Sequence, residues 1–311
     1  MTYMDSLTEE ALKLVKPAKF FEGFYLPNYQ RNIFMVLPTV YTFLGFKVRC
    51  RKTLLSNRDI KRQLEYAGCF DAKYAIVILL DSLGFQQVRY SKILNKAIEN
   101  GNLILLSSVF PTVTSTALAS IHTGYPPEEH GFVGHKIFIP EIGNIVNILN
   151  MCTLEAHERD ILPSAGVNVR AFLWQNTVYE DVNEEYSHIR LIESSIAKSG
   201  LSRVIIDDLR KSIGYYNVID CFSMVREILK KYREKKVFLE IYIGLLDELA
   251  HKYGPNSHEY MLGLHLVENN LLRLAYELKD EICDKTVVII FSDHGQVELE
   301  EKEVIKFKKM R

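Results

Sequence analysis

The 311-residue chain predicts an α/β fold on a mostly parallel central sheet, and three observations carry that expectation. Three strongly apolar runs of strand length occur, Tyr74 to Leu80, Val237 to Leu246 (interrupted by Glu240) and Thr286 to Phe291. They read as strands covered on both faces, because a strand with one wet face would alternate polar and apolar residues. Helix-like stretches separate them, at Lys92 to Asn100, Asp220 to Lys235 and Glu259 to Asp280, the alternation expected of a doubly wound sheet. Each run ends in a turn bearing an aspartate, Asp81, Asp247 or Asp293. Ligands of such sheets bind outside the carboxyl ends of the strands, so the three carboxylates should gather along one edge.

Composition narrows the class. With 48% hydrophobic and 25% charged residues the chain can bury a core and is not of the disordered type. A formal charge of −1 gives no basic surface for nucleic acid or membrane, so the expected partner is a small molecule. The five cysteines, Cys50, Cys69, Cys152, Cys221 and Cys283, never form a CxxC pair, which fits thiols in a reducing compartment better than a disulfide framework. The N-terminus, MTYMDSLTEEALKL, carries acids where a signal peptide carries basic residues. The longest apolar window, Ile33 to Val48, is broken by Pro38 and is short for a bilayer. The expectation is a soluble, cytoplasmic protein.

In chain order, residues 1–70 form a leading segment that packs on the main domain. It has a helix-like start at Leu7 to Val15, an aromatic patch of Phe20, Phe21, Phe24 and Tyr25, and an apolar stretch after Asn32. The regular pattern begins at Tyr74, so residues 71–311 are read as one domain. Within it, roughly 140–215 has weaker periodicity, with loop signals at Pro163 to Gly166 and Glu180 to Glu185. That region reads as an insertion or cap over the site.

Four segments carry chemistry. Asp81 follows the first buried strand, where an aspartate can equally cap the next helix. Phe110-Pro111-Thr112-Val113-Thr114-Ser115-Thr116 precedes a helix-like Ala117 to His122. A hydroxyl there lies near unpaired backbone N–H groups that favour an anionic phosphoryl group, or serves as an ordinary cap. Asp247 and His251 share a helix face at i, i+4 and can reach one ion, although DxxxH also arises by chance. Gly254-Pro255 then ends that helix. Asp293-His294 sits directly at a strand end and points to metal ligation. Carboxylates mixed with imidazoles beside a hydroxyl-rich turn are what a metal-dependent hydrolase with two ions needs.

In their order these segments resemble the alkaline phosphatase superfamily, most closely the type I phosphodiesterases and nucleotide pyrophosphatases. Asp81 is followed by PTVT ending at Thr114, then TGYPPEEHG from Thr123 to Gly131, DELAHKYGPNS from Asp247 to Ser257, and SDHG from Ser292 to Gly295. The resemblance covers about residues 74–296. It implies an alkaline-phosphatase-like three-layer sandwich and a hydrolase of phosphodiester or pyrophosphate bonds. It further implies Thr114 as the nucleophile of a phosphothreonine intermediate, with Asp81, Thr114, Asp293 and His294 around one divalent ion and Asp247 and His251 on a second. The ions would be zinc, and the ligand chemistry also permits manganese or iron. His135 falls where relatives place a substrate-contacting asparagine, so it is a candidate substrate contact; packing is the competing role for His135 and His130. His122 is read as structural. Phosphomonoesters, sulfates and phosphonates are the alternative substrates, and a catalytically impaired metal-binding protein is the alternative class.

One element of the pattern is missing. The resemblance implies a further histidine ligand to the Asp247/His251 ion from a segment after SDHG, and no histidine follows His294. A fragment of a longer protein lacking its C-terminal strands, a stand-in such as His258, and a weak second site are the competing explanations. The fragment is favoured because fold elements are lacking together with the ligand.

Overall fold

The computed structural model describes residues 3–17, 25–48, 51–181, 186–206, 211–278, 282 and 285–299. Helix α1 (Tyr3–Leu14) leads into a short antiparallel ribbon of β1 (Lys16–Pro17) and β2 (Tyr25–Leu26). Phe20, Phe21 and Phe24 lie outside the described residues; Tyr25 is exposed. Helix α2 (Val36–Phe43) carries Pro38 in its first turn, where the missing N–H breaks no helical bond. Its neighbours Phe34, Leu37, Val40 and Tyr41 are buried in the same core as α5 and the sheet. Helix α3 (Arg58–Tyr66) starts under an Asn57 cap.

Strand β3 (Tyr74–Leu80) is buried along its whole length. After α4 (Lys92–Glu99), capped by Ser91, come α5 (Thr114–Thr123) and the single-turn α6 (Pro127–His130). A separate antiparallel sheet follows, of β4 (Lys136–Ile139), β5 (Asn144–Asn147) and β6 (Cys152–Thr153), and then the short helix α7 (Ile161–Ser164). The chain returns to the main sheet through β7 (Tyr186–Glu193), the short α8 (Ser202–Ile205) and β8 (Ser212–Tyr215). Helix α9 (Val218–Lys231) leads to β9 (Lys236–Ile243). Helices α10 (Leu245–Tyr253) and α11 (His258–Leu278) then lead to β10 (Thr286–Phe291).

The main sheet has the order β10-β3-β9-β7-β8, and every pairing in it is parallel. Alternate residues of β3 serve opposite cores. Ala75, Val77 and Leu79 pack toward α2 and α5, whereas Ile76, Ile78 and Leu80 pack toward α9, α10 and α11. Two buried faces are why β3 and β9 are nearly all apolar; β10, at the edge of the sheet, is only partly buried and exposes Val288, so the expectation of two covered faces fails there. Phe238 on β9 is fully buried against Tyr41, with ring centroids 4.9 Å apart. Phe238→Ala should therefore lower unfolding free energy by about 3–5 kcal/mol, measured by urea denaturation; a loss below 1 kcal/mol would mean that this core face is not packed as described.

The stretch 140–215 divides. Residues 136–153 form a sheet of their own, but β7 and β8 pair with β9 and belong to the main sheet. The apolar signature of β7 is broken by Arg190, buried in an ion pair with Glu240, and by His188, nearly buried and stacked on Tyr179. The second apolar run also ends earlier than its hydropathy suggests: Gly244 separates β9 from α10, and Leu245-Leu246 opens the helix. Cys69, Cys152 and Cys221 are free and buried; Cys50 and Cys283 lie outside the described residues. Among the described residues no helix is long and apolar enough to cross a membrane.

Candidate active site

Parallel register brings the carboxyl ends of β3, β9 and β10 together. The Asp81 backbone N–H continues the β3–β9 ladder by donating to the Ile243 carbonyl at 3.0 Å, which sets Asp81 beside the start of α10. On the other side the turns after β3 and β10 meet backbone to backbone. A side-chain carbon built on Gly295 would lie 2.9 Å from Gly84 Cα, so glycine permits the approach that joins Asp81 to Asp293. Ser82 adopts φ 61 in this turn, a conformation that costs an L-residue about 1 kcal/mol. Its N–H is thereby aimed at Asp293 Oδ1, 3.2 Å away.

Thr114 occupies the first position of α5, after Val113, whose side chain cannot cap. The first-turn N–H groups are therefore free of a side-chain acceptor at the residue where the positive end of the helix lies. Thr114 Oγ1 is 3.1 Å from His294 Nε2. The Gly295 carbonyl, 3.2 Å from His294 Nδ1, can only accept, so the ring hydrogen sits on Nδ1 and a lone pair on Nε2. That lone pair faces Asp81 Oδ1 at 3.6 Å and Asp293 Oδ2 at 3.5 Å. Both carboxylate oxygens are buried without a hydrogen-bond partner.

Asp81 does not cap a helix. Its Oδ2 accepts from the Tyr242 hydroxyl, and its Oδ1 is the unpartnered atom. Burial, reinforced by the nearby Asp293 and Asp247 carboxylates, raises its pKa well above the usual range. Burial likewise raises Asp293, to about 6, against the pull of the Ser82 N–H. Asp247 and His251 share a face of α10 at 3.5 Å, and Gly254 at φ 98 ends that helix. Asp247 also lies with Asp81 and His294 in a cluster whose ligand atoms are all within 4.8 Å of one another. It thus spans two groups that the motifs separate. His251 is largely exposed, at 75%. No hydrogen bond or ion pair joins His258 to Asp247 or His251 among the described residues, and Glu300, Glu301 and Glu303 lie outside them.

His135 is half-buried, its Nδ1 2.9 Å from Ser115 Oγ, and it faces the Thr114 cavity. Burial lowers its pKa, with His294 adding to the effect. His130 is buried instead: Nδ1 accepts from Phe132 N–H at 3.1 Å, so Nε2–H donates to Ser120 Oγ at 2.7 Å. It braces α5 against the turn that follows and does not reach the site. Tyr242, Gln296 and Ser115 escape the sequence reading. Tyr242 holds Asp81, the Gln296 amide donates to Asp247 Oδ1, and Ser115 orients His135. None had a usable local signal: β9 carries both Glu240 and Tyr242 among its apolar residues, and the sequence does not say which of them reaches the site.

Two cavities meet at Thr114. One of about 580 Å³ opens over His135, His251, His294 and Gln296; the other, of about 400 Å³, runs past Leu118 and Ile192 to Arg190.

A family model described as type I phosphodiesterase/nucleotide pyrophosphatase matches residues 75–310. Venom phosphodiesterase 2 of Crotalus adamanteus is 26% identical over 199 residues, which cover 62% of this chain and 22% of that protein. Ectonucleotide pyrophosphatase/phosphodiesterase family member 3 of Bos taurus is 24% identical over 191 residues, covering 61% and 20%. The chain thus spans about a fifth of the length of the curated relatives it matches. Among solved structures, murine ectonucleotide pyrophosphatase/phosphodiesterase 5, an inactive variant in complex with AMP, aligns with a TM-score of 0.52 at 16% identity. The alignment covers 75% of this chain and 59% of that one.

Proposed function

Because this chain belongs to the type I phosphodiesterase/nucleotide pyrophosphatase family and has the alkaline-phosphatase-like α/β fold, we propose that it hydrolyses phosphodiester or pyrophosphate bonds through a covalent ester on Thr114. The observation that carries this reading is the Thr114 hydroxyl, set at the first turn of α5 and 3.1 Å from His294 Nε2 beside two buried carboxylates.

The donor set fits divalent ions. A lone pair and two unpartnered carboxylate oxygens converge at 3.5–3.6 Å, an arrangement of like partial charges that a bound cation relieves without protonating the carboxylates. Asp81, Asp293 and His294 would hold one ion beside Thr114, and Asp247 with His251 a second, with zinc our choice for both. Bound there, such ions supply Lewis-acid stabilisation of phosphoryl oxygens and lower the pKa of a neighbouring hydroxyl.

The chain's own groups do the rest. Thr114 Oγ1, deprotonated, attacks phosphorus; the bond to the departing oxygen breaks, and an ester forms that keeps the other arm of the substrate on Thr114. The free N–H groups of the first α5 turn hold the phosphoryl oxygens as charge builds on them. His135, fixed by Ser115, faces the same cavity and donates to a phosphoryl or leaving oxygen. Water then attacks phosphorus, the Thr114–phosphorus bond breaks, and a proton returns to Oγ1.

The test is hydrolysis of bis(4-nitrophenyl) phosphate beside 4-nitrophenyl phosphate and 4-nitrophenyl sulfate, with zinc or manganese added. The diester should be preferred. Chelation should lower its turnover by about 10²–10³-fold, as loss of several kcal/mol of transition-state stabilisation requires. It should also lower the melting temperature, because ions bound only by the folded state stabilise it. Turnover and melting both indifferent to chelator would remove the metal from this reading, and preference for the monoester or sulfate would replace the substrate class.

A further inference from the structure

Below the Thr114 site, the smaller cavity reaches a buried polar cluster that the chemistry above does not use. Arg190 on β7 stands opposite Glu240 on β9, and both are buried. Arg190 lies three residues back from Glu193, so it sits roughly 10 Å beneath the carboxyl edge of the sheet. On the helix above, His122 is eight residues beyond Thr114, about 12 Å along the axis. Between the two ends the cavity wall is mixed: Leu118, Ile192 and Ile205 line it together with Asn147, Asn150 and Ser202.

The hydrogens of the cluster can be assigned. Tyr179 spends its only hydroxyl hydrogen on Glu240 Oε2 at 2.5 Å, so His122 Nδ1–H donates to Tyr179 Oη at 2.6 Å. His122 Nε2 then keeps a lone pair, which accepts from Arg190 Nη2 at 3.4 Å. Arg190 Nε forms an ion pair with Glu240 Oε1 at 3.3 Å, without the alignment of a hydrogen bond. Nη1 has no partner among the described residues. A guanidinium carries five N–H donors, and leaving the Nη1 pair unmatched in a buried place is unfavourable unless a ligand completes it. Glu193, the other charged residue of β7 on this cavity, is turned to Tyr215 and the Gly244 backbone.

We propose that Arg190 is a specificity residue that anchors an anionic oxygen group, a carboxylate or phosphate, at the far end of an arm of the substrate, roughly 10 Å from the reacting phosphorus. The assignment rests on Thr114 being the reacting residue and adds to it a substrate with a charge at each end of a short spacer. Arg190 suits the task because its planar fork meets carboxylate or phosphate through two parallel bonds.

Two probes isolate the far end. 6-Phosphonohexanoate and hexylphosphonate share the phosphonate and the spacer and differ only in the terminal carboxylate. In calorimetric titration of the full chain with zinc present, the carboxylate probe should bind about tenfold or more tightly than hexylphosphonate, as one charge-assisted contact requires. Arg190→Gln should bring that ratio to about one while changing hexylphosphonate affinity less than about threefold. Because Arg190→Gln leaves the Glu240 carboxylate buried without its cation, Arg190→Gln/Glu240→Gln is measured beside it, with thermal melting as the check of folding. Equal affinities in the unaltered protein, or a preference that survives in both variants, overturns the Arg190 assignment alone. Failure of both phosphonates to bind overturns the Thr114 site and the Arg190 assignment with it.

Discussion

Thr114→Ala should lower kcat/KM for a phosphodiester by about 10³-fold or more, because removal of a nucleophile abolishes the covalent route and leaves only binding and electrostatic catalysis. Thr114→Ser keeps an oxygen at the same helix position and should stay within roughly tenfold of the parent. Neither substitution touches the core, since Thr114 is only partly buried at the start of α5 and its one side-chain hydrogen bond is to His294. The melting temperature should therefore move little in both. Rapid acid quench followed by peptide mass analysis provides a second readout: the ester should appear on the peptide bearing Thr114 and be missing from the alanine protein. Undiminished turnover by Thr114→Ala, or an ester found on another residue, would sink the nucleophile assignment.

The second large effect is loss of stability in acid. His130 and His188 are buried, and burial lowers the pKa of each to about 3. His122 is held well below its ordinary value by burial, with Arg190 adding repulsion. A histidine lowered in the folded state binds its proton first in the unfolded chain. Its contribution is thus complete above an unfolded pKa near 6.5 and is lost as pH falls toward 3. Each such histidine costs about 1.4 kcal/mol per pH unit in that window, so the two whose values are near 3 remove about 2.7 kcal/mol per unit. Against a domain stability of about 5–15 kcal/mol, cooperative unfolding should set in near pH 4–5. Asp81, Asp293 and Glu240, raised by burial, work the opposite way and blunt the slope as they take up protons in the folded state. Urea unfolding from pH 7 to pH 4.5, measured for the parent and His130→Gln, reads the histidine contribution as a difference, and an identical proton uptake in the two would contradict the buried neutral His130. His130→Gln should reduce the uptake by about one.

The legible part of the fold was the part buried by apolar side chains. β3 and β9 are legible because a strand covered on both faces is nearly all apolar; β10 is equally apolar in sequence although it lies at the sheet edge and exposes Val288, and the aspartates that follow the three lie together because all three run parallel. β7 is not, because Arg190 enters the core through Glu240, a partner 50 residues downstream that only sheet register reveals, and His188 through its stack on Tyr179. β8 is four residues long and carries too little pattern to recognise.

The site divides along the same line. Asp81, Thr114, Asp247, His251, Asp293 and His294 are candidates from the sequence because ordered motifs that resemble the family pattern set those residue types next to strand ends and a helix start. Tertiary structure decided how they are grouped. The hydrogen bond from Thr114 to His294 crosses 180 residues. The approach of Asp81 to Asp293 depends on two glycine backbones meeting, and Asp247 stands with Asp81 and His294 as well as with His251. Tyr242, Gln296 and Arg190 acquire their places only from packing, since a polar side chain on a strand or loop has no meaning until its partner is known. Local pattern by itself determined the strand ends, the helix start and the residue types set there. Distances between groups far apart in the chain, and therefore which charges face one another in a buried place, were decided by the closing of the parallel sheet and the burial of both its faces.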